Sequence, residues 1–157
     1  MTSAGETGFS GEWLRFAEMD GTTVHDLLKL RQDVFVVEQM CVYADIDGKD
    51  PQAMHYLVRE TGTSALAGAV RLFIADEESG SARIGRVVTA PGFRGNGQGR
   101  ELMLAALSKA QELAPGAGIE LSAQAYLVKF YAGFGFKPVS AEYLEDGIPH
   151  VDMALER

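Results

Sequence analysis

The order of the apolar patterns along the chain predicts a mixed α/β sheet. Three strand-like segments follow one another within residues 54–90, which indicates an antiparallel meander. A later strand–helix–strand pattern indicates a parallel crossover. The 157 residues are 46 % hydrophobic and 23 % charged, which is enough apolar material for one core. We therefore expect one domain over residues 1–157, with a mixed sheet rather than a doubly wound one.

The N-terminal part of the chain predicts a lead-in, a strand and a helix. Residues 1–11 are polar, small and glycine-rich, which predicts a flexible lead-in without the features of a signal peptide. EWLRFAEM alternates as a strand does, and GTTVHDLLKLRQDVFVVEQ has helical periodicity with Thr22 or Thr23 as its N-cap. Arg31 falls on the apolar face of this helix. Its charge requires a partner there, either a carboxylate of the fold or a ligand.

An acidic loop precedes the three strands of the meander. Residues 38–53 carry four carboxylates within EQMCVYADIDGKDPQA. The spacing of Asp45, Asp47 and Gly48 does not fit an EF-hand. Two interpretations remain, a lid that recognises a cation and a plain hydrophilic loop. The strands that follow are predicted in MHYLVRE, SALAGAVRLFIA and ARIGRVVTA.

The C-terminal half predicts two helices and three strands. The first helix runs from Gly97 to Ala114 and is ended by Pro115 and Gly116. Its buried stripe has six members: Leu102, Met103, Ala106, Leu107, Ala110 and Leu113. GIELSAQA is predicted as a strand, YLVKFYAGFG as a short helix, and FKPV and IPHVDMAL as the closing strands.

The composition excludes several classes of function. Fourteen Lys and Arg against 22 Asp and Glu give a net charge of −8, which repels nucleic acid, and the chain has no basic stripe. An acidic surface suits a cationic substrate such as an amine, or serves solubility alone. The single cysteine excludes an internal disulfide and fits a reducing cytosol. No apolar run reaches the length of a membrane span, so we expect a cytoplasmic protein.

The stretch FRGNGQGRELM, residues 93–103, is the strongest chemical signal. It fails the Rossmann pattern because Arg100 occupies the third glycine position, and it lacks the lysine of a P-loop. What remains is R-x-x-G-x-G between a strand and a helix. Free N–H groups at a helix start favour an anion such as a pyrophosphate, while a tight turn is the alternative. The candidate phosphate-binding residues are Arg94, Gly95, Asn96, Gly97, Gln98, Gly99 and Arg100.

This motif, after IGRVVTAP and at the start of a helix, resembles motif A of the GNAT N-acetyltransferase superfamily, its acetyl-CoA pyrophosphate site. LLKLRQDVFVVEQMC, DIDGKD, IGRVV, SAQAYLVKFYAGFGFKPV and EDGIPHVDM together resemble the ElaA-like branch of that superfamily. They are spread over most of the chain from Trp13 onward. The resemblance implies a mixed, mostly antiparallel sheet with helices on both faces and splayed central strands.

The resemblance also implies where acetyl-CoA binds. The backbone of Val87, Val88 and Thr89 would bond the pantetheine and polarise the acetyl carbonyl, although Val87 and Val88 would serve equally as core residues. Gln124 stands near the position where many GNAT proteins contact the cofactor with asparagine. No metal is implied.

The family mechanism is direct attack of a neutral amine on the thioester, and it suggests candidates for proton transfer. Tyr131, early in the last helix, would be the general acid; the alternative is a tyrosine packed on a helix face. Three residues are candidates for the general base, with Glu38 favoured over His55 and His150. Each histidine is as readily a structural group.

Two positions depart from the ElaA-like pattern, Tyr126 where histidine is expected and Val42 where proline is expected. If that histidine transfers protons in relatives, this chain uses another proton route. The implied function is an N-acetyltransferase that moves an acetyl group from acetyl-CoA to a cationic primary amine of a small molecule or peptide. A catalytically silent acyl-CoA sensor and an acyltransferase with another acyl donor are the alternatives, and a homodimer is common in the superfamily.

Overall fold

Residues 8–156 are described by the computed structural model, and their strands form one mixed sheet. The strands are β1 (Phe9–Arg15), β2 (Met54–Glu60), β3 (Leu66–Phe73), β4 (Ser81–Thr89), β5 (Gly118–Gln124), β6 (Lys137–Pro138), β7 (Tyr143–Glu145) and β8 (Ile148–Leu155). Their order across the sheet is β1-β2-β3-β4-β5-β8-β6, and β7 pairs with β8. The predicted mixed α/β fold is confirmed.

Within residues 8–156, three α-helices connect these strands. They are α1 (Gly21–Arg31), which continues as a wider π-helical turn over Gln32–Glu38, α2 (Gln98–Leu113) and α3 (Val128–Ala132). The N-cap of α1 is Asp20, whose carboxylate accepts a hydrogen bond of 2.8 Å from the backbone N–H of Thr23. The prediction of Thr22 or Thr23 as the cap was therefore wrong, because the cap lies earlier in the chain, at Asp20, whose side chain is an equally good acceptor.

The first strand begins within the predicted lead-in. Phe9 pairs with Glu60, and the antiparallel register continues to Arg15. Gly11 makes room for the end of the Tyr56 side chain, which a Cβ at this position would overlap. The prediction of a flexible segment was thus wrong for residues 9–11, where the small residue serves packing rather than flexibility. Residues 1–7 lie outside the described part of the chain.

The predicted meander and crossover are both present. β2, β3 and β4 pair antiparallel with their neighbours, and β4 pairs parallel with β5 after the crossover through α2. In the described structure the β4–β5 register covers three rungs, from Ser81↔Gly118 to Arg83↔Glu120. Beyond these rungs the two strands diverge toward their C-terminal ends. The splayed central strands are confirmed.

Helices cover both faces of the sheet. On one face Leu102, Met103 and Ala106 of α2 pack with Val70 of β3. On the other face Leu27 and Leu30 of α1 pack with Ala69 of β3. The neighbours Ala69 and Val70 belong to different clusters because successive strand residues point to opposite faces. Within the predicted stripe of α2, Leu113 is exposed.

The strand β7 was missed by the sequence interpretation. It forms a hairpin with β8 through Asp146 and Gly147, which both have positive φ, 54° and 77°. This geometry favours an Asp-Gly pair, which is itself a strong hairpin signal. The signal was present in EDGIPH, but the strand before it is only three residues long.

Candidate active site

The divergence of β4 and β5 opens a cleft of about 820 Å³. Its walls come from β4, β5, the end of the π-helical turn, the loop of residues 39–49, α3 and the β7–β8 hairpin. A cleft of this size fits a small-molecule or cofactor ligand. A parallel pair with so short a register leaves main-chain groups on both walls available to such a ligand.

A β-bulge bends β4 at this cleft. Ala69 pairs with Val88 and Arg71 with Gly85, so two residues of β4, Arg86 and Val87, stand opposite a single residue of β3. Arg86 has a φ of 50°, which is uncommon for a residue with a side chain. The bulge takes main-chain groups out of the ladder with β3. Of the predicted pantetheine contacts, Val87, Val88 and Thr89 all line the cleft.

Residues 94–100, here called the glycine loop, present an uncapped helix N-terminus beside the cleft. Gly97 is the N-cap of α2 and makes no side-chain cap. Gly95 and Gly97 have φ of 86° and 74°, and a Cβ on either would meet no atom within 4 Å. The first intrahelical bond runs from the N–H of Glu101 to the carbonyl of Gly97 at 3.1 Å. The preceding N–H groups of the first turn lack intrahelical acceptors and favour an anion.

Arg94 and Glu38 form an ion pair at this loop. Arg94 Nη1 and Nη2 each lie 2.6 Å from a carboxylate oxygen of Glu38, and both residues line the cleft. The hydrogen bonds from Arg94 hold the pKa of Glu38 below its usual value. A carboxylate that is paired at both oxygens and is harder to protonate is poorly suited to act as a general base.

The hydroxyl-bearing ring of Tyr131 is held in an aromatic cluster. Its ring centroid lies 5.1 Å from that of Phe130 and 6.5 Å from that of Phe136, both edge-to-face. Tyr131 is 8 % exposed and lines the cleft. Burial raises its pKa to about 12. The side chain therefore carries its proton at neutral pH, as a general acid must.

His55 lies outside the cleft. It is buried in the sheet, with its Nε2 3.0 Å from the carbonyl oxygen of Asp50, and its ring contacts Phe16. Burial lowers its pKa. The described residues that line the cleft do not include His55. The structure thus does not bring His55 together with Tyr131 and Glu38.

The acidic loop binds arginines of the fold itself. Arg31, Arg71 and Arg86 pair with Asp45, Asp47 and Asp50 in one network. Asp50 accepts from Arg31 Nη1 at 2.8 Å and from Arg71 Nη1 at 3.1 Å. Of the two partners left open for Arg31, a carboxylate of the fold is the correct one. The interpretation of this loop as a lid that recognises a cation was wrong, because its carboxylates are neutralised within the protein.

The outer side of the same loop is apolar. Four of its apolar residues are each more than half exposed: Met40, Val42, Tyr43 and Ile46. Tyr126, at the opposite wall, is 75 % exposed and also lines the cleft. Of the two positions that depart from the ElaA-like pattern, Tyr126 lines the cleft, and Val42 is exposed on the loop between Cys41 and Tyr43, which both line it.

The β7–β8 hairpin brings further polar groups to the cleft. His150 and Glu145 both line it, and His150 pairs with Gln124 across β8 and β5. Gln124 Nε2 lies 3.5 Å from Gln39 Oε1, so it also contacts the end of the π-helical turn. Sequence reasoning missed Glu145, because β7 was not predicted and nothing marked the residue as close to His150.

The predicted site residues are brought together only in part. The cleft is lined by Glu38, Val87, Val88, Thr89, Arg94, Gly99, Gln124 and Tyr131. The remaining loop residues, Gly95, Asn96, Gly97, Gln98 and Arg100, lie on the adjoining turn and helix start. Within residues 8–156 no group of three or more His, Cys, Asp or Glu side chains is arranged to hold a metal ion. No helix in that same part of the chain is long and apolar enough to cross a membrane.

Known proteins share this architecture and sequence. Residues 25–157 match the family model of the acetyltransferase (GNAT) domain. A UPF0039 protein of Schizosaccharomyces pombe is 44 % identical over 142 residues, which cover 90 % of this chain and 93 % of that protein. Protein ElaA of Escherichia coli is 39 % identical over 147 residues, 92 % of this chain and 96 % of ElaA.

Solved structures agree with these matches. The crystal structure of Escherichia coli ElaA superimposes with a TM-score of 0.88 at 37 % identity, covering 95 % of this chain and 100 % of that one. An acyl-CoA N-acyltransferase from Pseudomonas aeruginosa superimposes with a TM-score of 0.87 at 36 % identity, covering 94 % of this chain and 99 % of that one.

Proposed function

Because this chain belongs to the GNAT acetyltransferase family, in its ElaA-like branch, we propose that it is an N-acetyltransferase. It moves an acetyl group from acetyl-CoA to a primary amine of a small molecule or peptide. The family and the Pseudomonas aeruginosa neighbour support acyl transfer from an acyl-CoA. The acetyl group and the amine acceptor are part of the proposal.

One observation carries the proposal: the splayed β4–β5 edge and the uncapped N-terminus of α2 adjoin the same cleft. The N–H groups of Gln98, Gly99 and Arg100 would hold the diphosphate, with Arg94 adding positive charge. The bulged main chain at Val87 would hydrogen-bond the pantetheine arm in place of a missing strand neighbour.

The chemistry assigned to the protein is polarisation and proton transfer. A main-chain N–H of β4 stabilises negative charge on the thioester oxygen during attack. Tyr131 donates its proton to the departing sulfur. The amine must arrive neutral, which costs roughly 4–5 kcal/mol for a lysine-like amine at pH 7. A base in the cleft is therefore required.

The proposed location is the cytoplasm. The single cysteine, Cys41, is consistent with a reducing compartment.

Calorimetric titration of acetyl-CoA, followed by measurement of free thiol with a panel of primary amines, tests the proposed function. The panel contains lysine, putrescine, tyramine and a peptide with a free N-terminus. Binding followed by amine-dependent thiol release supports the proposal. Tight binding without thiol release for any amine would favour a sensor, and release only with longer acyl-CoA esters would favour another acyl donor.

A further inference from the structure

We propose that His150 is the catalytic base of this site and that Glu145 transfers the proton from His150 to solvent. The inference rests on the proposed function and assigns the proton acceptor which that function requires. It comes from the β7–β8 hairpin, where a histidine and a carboxylate face the cleft together.

The fold fixes the place of His150. Its partner across the sheet is Gln124, the last residue of β5, so it stands where β5 has already separated from β4. The residue is 7 % exposed and lines the cleft. A base in this position meets an amine that enters the cleft from the side of the hairpin.

The hydrogen bond of His150 selects its tautomer. Nδ1 lies 2.7 Å from the carbonyl oxygen of Ile148. A carbonyl oxygen is only an acceptor, so Nδ1 must donate its proton. In the neutral ring Nε2 then carries the free lone pair, which is the form that accepts a proton from a substrate.

The ring is also held in place by its neighbour on β7. Tyr143 stacks on His150 with the ring centroids 6.2 Å apart and the planes at 28°. The Tyr143 hydroxyl donates to Asp152, and it is 3.1 Å from the hydroxyl of Ser122. A locked ring keeps Nε2 directed at one place, as a proton acceptor requires.

Glu145 supplies the exit for the proton. Its Oε2 lies 3.7 Å from His150 Nε2, which is longer than a hydrogen bond and leaves the neutral Nε2 available to the substrate. After proton transfer the imidazolium and this carboxylate face each other as an ion pair. The side chain of Glu145 is 50 % exposed, whereas that of His150 is 9 % exposed. The proton can therefore pass from a buried nitrogen to an oxygen in contact with water.

In the proposed reaction one proton leaves the ammonium before the acetyl group is transferred. The substrate ammonium gives one proton to His150 Nε2, which releases it to solvent by way of Glu145. The neutral amine then forms the N–C bond with the thioester carbon, and the C–S bond breaks. Tyr131 gives its proton to the sulfur and regains one from the new amide nitrogen. The products are the acetylated amine, free coenzyme A and one proton.

The test compares His150→Ala and His150→Asn with the wild-type protein, using the amine panel described above. The asparagine amide can still donate to the carbonyl of Ile148 but has no basic nitrogen. We expect both variants to keep acetyl-CoA affinity within about twofold and to lose roughly 10²- to 10⁴-fold in kcat/KM for the amine. Imidazole added to the buffer should restore turnover to His150→Ala. His25→Asn, the same change on the exposed side of α1, should behave as wild type.

Three results would overturn the assignment. They are kcat/KM retained by His150→Asn, a loss of acetyl-CoA affinity that parallels the loss of turnover, and no response of His150→Ala to imidazole. Nitrogen-15 NMR of the wild-type ring gives a readout independent of activity, and a proton found on Nε2 of the neutral ring would also contradict it. Wild-type inactivity toward every amine defeats the proposed function and this inference together, whereas an active His150→Asn defeats this inference alone.

Discussion

Arg94 and Glu38 are 56 residues apart in sequence, yet the guanidinium and the carboxylate form a bidentate ion pair with both N–O distances at 2.6 Å. The pair joins the end of the first helical segment to the glycine loop before α2. It also places an anion on the arginine that is expected to meet the diphosphate of coenzyme A. Ligand and carboxylate therefore compete for one guanidinium.

Replacement of Glu38 by Gln should strengthen cofactor binding. Removal of the competing charge frees Arg94 for phosphate, so acetyl-CoA affinity should rise about two- to tenfold in calorimetry. Turnover at saturating acetyl-CoA should stay within about threefold, because a base role is assigned to another residue. Asp33→Asn removes the same charge from an exposed pair with Lys29 and serves as the control. A large loss of turnover at unchanged affinity would instead identify Glu38 as the base.

Gly97→Asp should abolish tight binding of acetyl-CoA, while Gly97→Asn should reduce it far less. Asn and Asp have similar shapes and both tolerate the positive φ of this residue. They differ in the negative charge that Asp brings to the anion site. We expect at least a tenfold difference in Kd between the variants, about 1.4 kcal/mol, and similar melting temperatures. Equal affinities would place the diphosphate elsewhere.

Tyr131→Phe should lower kcat by roughly 10²- to 10⁴-fold and leave acetyl-CoA affinity unchanged, because only the hydroxyl proton is lost. Tyr56→Phe, in β2 outside the cleft, is the matched control. Stopped-flow measurement of thiol release separates the chemical step from binding. Wild-type kinetics in Tyr131→Phe would remove this hydroxyl from the mechanism.

The pH dependence of Tyr131 has a definite sign. Burial raises its pKa from the ordinary 10 to about 12, so the fold favours the neutral form. The associated stability is present below about pH 10 and is lost as the pH rises through about 12. Turnover should therefore show no loss from ionisation of Tyr131 up to about pH 10. An alkaline limb near pH 8–9 that disappears in Tyr131→Phe would contradict this expectation.

Asp50→Asn should destabilise the fold. Asp50 is 3 % exposed and bridges Arg31 and Arg71. Its neutralisation leaves the three arginines of the network facing only Asp45 and Asp47, with one positive charge uncompensated. The free energy of unfolding in urea should fall by about 3–5 kcal/mol. Asp33→Asn, at an exposed pair, should change it by less than about 1 kcal/mol.

Acid should remove from the wild-type protein the stabilisation that the ionised Asp50 carboxylate provides. Burial raises the pKa of Asp50, but the hydrogen bonds and charges of Arg31 and Arg71 outweigh burial and hold the pKa below its ordinary value. A lowered carboxyl pKa gives stability that is present above about pH 4 and is lost as the pH falls below it. The difference between wild type and Asp50→Asn should thus shrink in acid. A constant difference between pH 7 and about pH 3 would show that ionisation of Asp50 is not the cause.

The features that the sequence predicted correctly are those encoded by short stretches of neighbouring residues. The glycine loop combines positive φ at Gly95 and Gly97 with an adjacent helix, and both features are encoded within a few residues. The meander follows from apolar alternation and short turns. These signals led to the mixed sheet and to the family resemblance, which the fold and the related proteins confirm.

Long-range pairing explains what the sequence did not show. Nothing in DIDGKD indicates that Asp45, Asp47 and Asp50 face three arginines from distant elements. A lid that recognises a cation therefore stayed open beside a plain hydrophilic loop. His55 and His150 have similar local patterns, but only the sheet register places one in the core and the other at the cleft. The base could not be selected without that register.

A crystal structure of the protein with coenzyme A tests the central claim most directly. The account predicts the diphosphate within hydrogen-bond distance of the backbone N–H groups of Gln98, Gly99 and Arg100, and the pantetheine arm between β4 and β5 with its sulfur directed at Tyr131. Coenzyme A bound outside the β4–β5 cleft, or a diphosphate without contact to the start of α2, would contradict it.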